Sequence, residues 1–289
     1  MICIEPSSSE YIITTEQILS TISKHASETA VLLLPGVQFY TGQLFDIPTI
    51  TAHAQSLGII VGWDLAHAAG NIPVQLHNWN VDFAAWCHYK YMNSGPGAIG
   101  GLFIHSKNDF TPTLKGWWGS TKTSRFNMDN KFIPISGAGG FQLSNPSALD
   151  ITSVSASLDV FGLTNMDALR EKSLKLTGYL EELLWRKNGK GRKPYSIITP
   201  KDPKQRGAQL SVLLEEGLLD SVMVVFEKEG VVVDERKPDV IRVAPAPLYN
   251  NFTDVWDFVE VLEKALVVAQ KAKEGKMVVE GESQLDKTT

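Results

Sequence analysis

The chain has 289 residues, 43% of them hydrophobic and 20% charged, with a formal net charge of −5. That content fits one large globular domain or two modest ones and excludes a disordered polyelectrolyte, while the acidic balance argues against nucleic acid or an anionic membrane as partner. Two cysteines, Cys3 and Cys87, are too few for a disulfide framework, and no run approaches the ~20 apolar residues of a membrane span, so a cytoplasmic protein in a reducing compartment is expected.

The first half alternates two periodicities. Residues 15–25 place Ile18, Leu19 and Ile22 on one helical face, and 30–34 read as a buried strand. A helix follows over 46–57, with Pro48 near its start and Gly58 just past its end. The apolar run 59–63 is the next strand and delivers Asp64 and His67 to the turn at its carboxyl end; 81–87 is another and delivers Tyr89 and Lys90; a strand over 101–105 closes this half. Strands joined by crossover helices predict a layered α/β domain.

In a mostly parallel sheet, neighbouring strands present their carboxyl ends on one edge, so Asp64 and Lys90 converge although 26 positions apart. A carboxylate there holds a pyridine nitrogen protonated while an amine holds an aldehyde as a Schiff base, which is the donor set of a pyridoxal-phosphate (PLP) site. Each residue also has a plainer reading. Asp64 can be a turn residue or helix cap, Lys90 a solvated edge charge, and His67 a packed ring. Trp117 and Trp118 can be core, and Asn145 before Pro146 a turn former.

Beyond these, 147–187 is helical in pattern, with Gly162 and Gly178 as interruptions, and the basic run 186–193 reads as its solvated exit loop. Strands are expected near 195–199, 208–214, 230–233 and 240–243, and helices over 218–229 and 253–273. The polar stretch 276–289 reads as a disordered tail.

Several blocks together carry a family resemblance. They are Gly36-Val37-Gln38-Phe39-Tyr40-Thr41-Gly42-Gln43, Asp64-Leu65-Ala66-His67-Ala68, Trp86-Cys87-His88-Tyr89-Lys90-Tyr91, Gly116-Trp117-Trp118-Gly119, Ser144-Asn145-Pro146 and Ile241-Arg242-Val243-Ala244-Pro245. With these the chain closely resembles the kynureninases from about residue 12 to 269. The Asp-x-x-His turn and the lysine are common to the wider PLP aminotransferase class and point to the cofactor, whereas the Gly-Trp-Trp-Gly, Ser-Asn-Pro and Arg-Val-Ala-Pro blocks are more specific.

The resemblance implies an α/β fold of type I: a partial PLP-binding large domain over 1–146, then a connecting helix and a small α+β domain over 147–275. It implies that Lys90 is the Schiff-base lysine and that Asp64 partners the pyridinium nitrogen. His67 and Tyr89 would line the cofactor, with Tyr89 a proton carrier or phosphate contact. Trp117 and Asn145 would complete the pocket around cofactor and substrate, and Arg242 would grip the substrate α-carboxylate. The implied reaction is hydrolysis of L-kynurenine or 3-hydroxy-L-kynurenine to anthranilate or 3-hydroxyanthranilate plus L-alanine, within tryptophan catabolism and NAD biosynthesis, by a homodimer. Kynureninases carry a long amino-terminal portion before the first strand seen here, supplying a phosphate-binding turn and a ring stacked on the cofactor. The chain is expected to lack both, leaving a sheet edge uncovered.

Rival motifs are weaker. Gly95-Pro96-Gly97-Ala98-Ile99-Gly100 satisfies the dinucleotide pattern literally but runs into a strand, not a helix, and reads instead as a tight turn after the lysine. The six histidines are scattered without metal-ligand spacing, so no metal site is expected, and Ser94 lacks the flanking glycines of a nucleophile elbow. A cysteine-desulfurase-like enzyme stays open as an alternative, although neither Cys3 nor Cys87 is placed as a mobile nucleophile. So does a weak or inactive PLP-fold remnant serving as a subunit partner.

Overall fold

A computed structural model describes residues 1–8, 10–186 and 194–285, with side chains as far as residue 275. The chain divides into two compact units, the first comprising Met1–Gln38 and Leu44–Ala168, the second Phe39–Gln43 and Leu169–Thr289.

The first unit is built on a four-stranded sheet in the order β1 (Val31–Pro35), β2 (Ile60–Asp64), β3 (Phe83–Cys87), β4 (Gly100–Ile104). The first three strands are parallel and β4 is antiparallel to β3, which agrees with a mostly parallel sheet. Helices α1 (Thr15–Lys24) and α2 (Ile47–Ser56) begin where the sequence offers caps: Thr14 Oγ1 accepts from Gln17 N at 3.1 Å and Asp46 Oδ1 from Thr49 N at 3.2 Å. Strand alternation sends Leu32, Val61, Trp63 and Ala84 into one core with Ile18, Ile22, Ile50 and Ala54 of the two helices. Trp63 is fully buried because its one donor is satisfied, Nε1 bonding Thr51 Oγ1 at 2.9 Å. The opposite sheet face carries Val31, Leu33, Ile60 and Leu102, all exposed, with β1 and β4 as edges. Between β2 and β3 the chain passes through turns.

Helix α3 (Ala148–Phe161) belongs to this unit. It is tied to the loop after β3, where Ser157 Oγ donates to the carbonyl of Met92.

The second unit is α+β, as expected, with an antiparallel sheet in the order β5 (Tyr195–Ile197), β6 (Leu210–Leu214), β8 (Val240–Val243), β7 (Asp234–Arg236). Helices α4 (Met166–Arg186, entering this unit at Leu169), α5 (Leu219–Glu229) and α6 (Phe252–Leu285) supply its core through Leu176, Leu180, Leu184, Phe226, Val259 and Leu262. Three expectations change here. Gly178 does not interrupt α4, since buried Leu176, Leu180, Leu183 and Leu184 around it outweigh the ~1 kcal/mol helix penalty of one glycine. No strand forms over 230–233, because Gly230 closes α5 in the left-handed conformation (φ 72°) and Val231 N bonds Phe226 O at 2.9 Å, which moves the strand to β7. The backbone of α6 continues to Leu285 instead of ending near residue 273, since propagation adds a hydrogen bond for each residue fixed. The rest of the expected tail, 286–289, and the expected basic loop from 187 to 193 lie outside the described residues.

Candidate functional site

Strands β2 and β3 lie side by side with Asp64 opposite Ala85, so the residues that follow each strand emerge on one edge of the sheet. The Asp64 side chain is exposed, and its Oδ1 accepts from Ala66 N at 2.8 Å, so the turn-forming reading is correct as far as that oxygen goes. Leu65 N then bonds Ala85 O at 2.8 Å, and the Cys87 thiol reaches Ala66 O at 3.9 Å, tying the Asp64–His67 turn to β3. The His67 ring meets Tyr91 edge-on, centroids 6.2 Å apart.

Tyr89 is half-exposed, and the Lys90 Nζ sits 5.7 Å from its ring centroid. The Tyr89 phenol is pushed above its ordinary range, first by Cys87, electrostatically and as a hydrogen-bond partner, then by desolvation, and last by the Asp64 carboxylate. The phenol accordingly keeps its proton at neutral pH, and Asp64, Cys87 and Tyr89 share one electrostatic neighbourhood. Among the described residues, the Lys90 amine makes no hydrogen bond and no ion pair. The loop beyond it turns where the sequence placed glycines: Gly95 and Gly97 have φ of 83° and 82°, and the chain runs straight into β4, which removes the dinucleotide reading.

Trp117 opens a short 3₁₀ turn. Its indole N–H donates to Arg125 O at 2.9 Å, and Phe126 packs edge-on at 5.3 Å, so only the ring face, about half exposed, is open to a ligand. Arg125 is buried beneath the pair of tryptophans: its guanidinium lies 4.1 Å from the Trp118 ring centroid and 5.6 Å from that of Trp117, and Nη2 donates to Trp118 O and Ser120 O at 2.7 and 3.1 Å. Asn145 is exposed just before α3, its Oδ1 accepting from Ser144 Oγ at 3.3 Å. No hydrogen bond, ion pair or ring contact joins Trp117 or Asn145 to Asp64 or Lys90 among the described residues.

Arg242 lies in the second unit, in the middle of its sheet, opposite Ser211 of β6 and Asp234 of β7. Its Nη1 donates to Phe39 O at 2.7 Å, and its Nη2 pairs with Asp234 Oδ2. Asp234 is held from the other side by Arg236, whose Nη1 and Nη2 reach its two oxygens at 2.9 Å each. The Phe39–Gln43 segment is bound into the same unit: Gln209 Nε2 donates to Phe39 O at 3.1 Å and Ser211 Oγ to Tyr40 O at 2.5 Å. Sequence reasoning did not anticipate Arg125, Asp234, or Cys87 as an electrostatic neighbour of Tyr89. The signal available for Cys87 was strand alternation, which puts it on the same sheet face as Ala85, the register partner of Asp64.

Residues 169–262, which include Arg242, match the family model of the kynureninase C-terminal domain. Over 94% of its length the chain is 59% identical to Kynureninase 1 of Phaeosphaeria nodorum, and over 95% it is 58% identical to the kynureninase of Coccidioides immitis. The chain is a relative of the kynureninases. Kynureninase 2 of Neurospora crassa extends the comparison, at 57% identity over 94% of the chain. The chain spans about 60% of the length of each of these kynureninases. Among solved structures it is similar to the cysteine desulfurase of Thermococcus onnurineus NA1, with a TM-score of 0.70 and 17% identity over 86% of this chain and 62% of that one. A C-DES mutant with glycine covalently linked to its PLP cofactor superposes with a TM-score of 0.72 at 17% identity, over 85% of this chain and 63% of that one. These likenesses assign the fold, which is the type I fold of PLP-dependent enzymes.

Proposed function

We propose that the chain carries the catalytic residues of a kynureninase, hydrolysing L-kynurenine or 3-hydroxy-L-kynurenine to anthranilate or 3-hydroxyanthranilate plus L-alanine. The observation that carries this reading is the identity of 56–59% to curated fungal kynureninases along nearly the whole chain. The cysteine-desulfurase alternative has only fold likeness at 17–20% identity in its favour, and the thiol nearest the candidate site, Cys87, sits in β3 bonded to the backbone of Ala66.

The donor set fits PLP. Asp64 is exposed at a strand end with one oxygen committed to Ala66 N, which leaves Oδ2 to face a protonated ring nitrogen. The uncommitted Lys90 amine is the covalent partner for the cofactor aldehyde. When bound, PLP supplies an electron sink for negative charge developing at the substrate Cα. Lys90 would hold the cofactor through its amine, and the same Nζ, when free, would take the proton from the substrate Cα. Tyr89, protonated at neutral pH, is suited to donate a proton from its hydroxyl, and His67 and the open face of Trp117 line the pocket. By the family resemblance Asn145 would contact cofactor and substrate, and the guanidinium of Arg242, bonded to Phe39 O and Asp234 as it stands, would match the α-carboxylate.

We place this activity in tryptophan catabolism toward NAD, in the cytoplasm, which two free cysteines support. A homodimer is proposed with it, supported by the exposed apolar sheet face of Val31, Leu33, Ile60 and Leu102. The test is borohydride reduction of PLP-treated protein followed by peptide mapping, alongside a fluorescence assay for anthranilate release. A phosphopyridoxyl group on the peptide containing His88, Tyr89 and Lys90 is expected; labelling elsewhere with that peptide clean refutes the assignment.

A further inference from the structure

The histidine two residues before Lys90 has no role in the reading above, yet both of its ring nitrogens are committed. Trp86 Nε1 donates to His88 Nε2 at 3.1 Å, and His88 Nδ1 lies 2.5 Å from Ile99 O. An indole N–H only donates and a carbonyl only accepts, so the ring carries its proton on Nδ1. The tryptophan reaches this position because its register partner on β4 is Gly101: a Cβ there would lie 2.4 Å from the Trp86 ring.

We propose that His88 is the positioning residue for Lys90, fastening both ends of the loop that carries the lysine. Ile99 immediately precedes β4, so the Nδ1 bond closes the whole excursion from β3 to β4. Inside it, Ser94 N bonds His88 O at 2.9 Å and Asn93 N bonds Lys90 O at 2.9 Å, with Asn93 in the left-handed region (φ 54°) and its side chain on Tyr91 O. The Lys90 backbone is thereby held inside two nested turns anchored on one imidazole. An amine that must meet an aldehyde at bonding distance gains from that constraint, since small misplacements of a reacting group cost large factors in rate. The inference rests on reading Lys90 as the covalent lysine.

The experiment uses the full chain and the variants His88→Leu, His88→Asn and His88→Gln. Asn keeps a donor where Nδ1 stands, whereas Gln keeps an acceptor where Nε2 stands. Amide exchange is followed at Asn93 and Ser94, with Val61 in the sheet as reference, and borohydride trapping of PLP is quantified on the Lys90 peptide relative to the other lysines. In His88→Leu, exchange at Ser94 rises and selective trapping on Lys90 falls, each by about fivefold, the scale of one hydrogen bond, with Val61 unchanged. Asn restores most of both and Gln does not. Wild-type trapping in His88→Leu overturns the proposal even if the loop exchanges faster, because His88 is then structural only. Should the leucine variant unfold, equal trapping in Asn and Gln overturns it as well. If the wild-type Lys90 peptide takes no label, the reading of Lys90 fails and this inference falls with it; a labelled wild type with indifferent variants sinks the inference alone.

Discussion

Asp82 is the most heavily used carboxylate of the first unit, and its replacement gives the sharpest test of what holds the candidate site's sheet together. It is 5% exposed. It accepts from Val61 N at 2.8 Å, Gln55 Nε2 at 2.9 Å, Asn108 Nδ2 at 3.0 Å and Lys107 Nζ at 3.0 Å, so one side chain joins β2, α2 and the turn beyond β4. Replacing it with alanine strips the acceptor from all four. Gln55, Asn108 and Lys107 can turn toward water, and each loss costs roughly 0.5–1.5 kcal/mol; the Val61 N–H lies in a fully buried strand residue and costs about 1–3 kcal/mol. The terms sum to about 2.5–7.5 kcal/mol, a span that contains the roughly 3–5 kcal/mol found when one partner of a buried charged pair is removed.

The pH dependence separates this account from a packing defect. Burial opposes the Asp82 charge, but the donors from Val61, Asn108, Gln55 and Lys107 outweigh it and hold the carboxyl below its ordinary range. Because the folded value is depressed, the stabilisation is fully present above the unfolded value of about 3.9 and disappears as pH falls through the folded one. Asp82→Asn retains the shape and removes the charge. In urea unfolding read by amide exchange at Val61, the gap between wild type and Asp82→Asn is therefore largest at neutral pH and closes below about pH 4. A gap that stays constant from neutral pH down to about pH 3, or one smaller than about 0.5 kcal/mol throughout, refutes the reasoning.

Asp64→Asn keeps the acceptor for Ala66 N but loses the charge, so PLP retention is expected to persist while turnover falls in a stopped anthranilate assay; normal turnover would show that another group protonates the ring. Arg242→Lys cannot keep both the Phe39 O bond and the Asp234 pair, and a kynurenine analogue is expected to bind ~1–3 kcal/mol more weakly by titration with PLP affinity unchanged. Arg125→Met removes the cation from beneath Trp117 and Trp118 and two bonds to their loop. Tryptophan emission is expected to shift and proteolysis between residues 116 and 125 to accelerate, and unchanged digestion would refute that role.

What was legible in the sequence follows from what kind of interaction decides each feature. Strands β1 to β4 and helices α1 and α2 were readable because period, caps and breakers agree locally; Thr14, Asp46 and Gly58 act within four residues of what they specify. The convergence of the Asp64 and Lys90 segments on one sheet edge was readable because parallel strands align their ends by topology. Gly178 and residues 230–233 misled because a distant leucine core, in one case, and a left-handed cap, in the other, overruled local propensity. Arg242 could be singled out by family resemblance, but its commitments to Asp234 and Phe39 O could not be read, since these partners stand 8 and 203 positions away, beyond any periodic signal.

That difference bears on how the candidate site works. The first unit's candidate reactive groups are exposed or partly exposed, as a group must be to meet a ligand: Asp64 and Asn145 at turns, Tyr89 and Lys90 beyond β3, Trp117 on its ring face. The residues that fix them, His88 by its two ring bonds and Arg125 beneath the tryptophans, have their polar atoms turned inward onto backbone carbonyls or an indole. A motif therefore records the reactive groups, while the constraint that gives them a single geometry resides in long side chains whose partners are main-chain atoms. Such partners are present whatever the residue type, so they leave no trace in composition or spacing, and the holding residues emerge only from the folded chain.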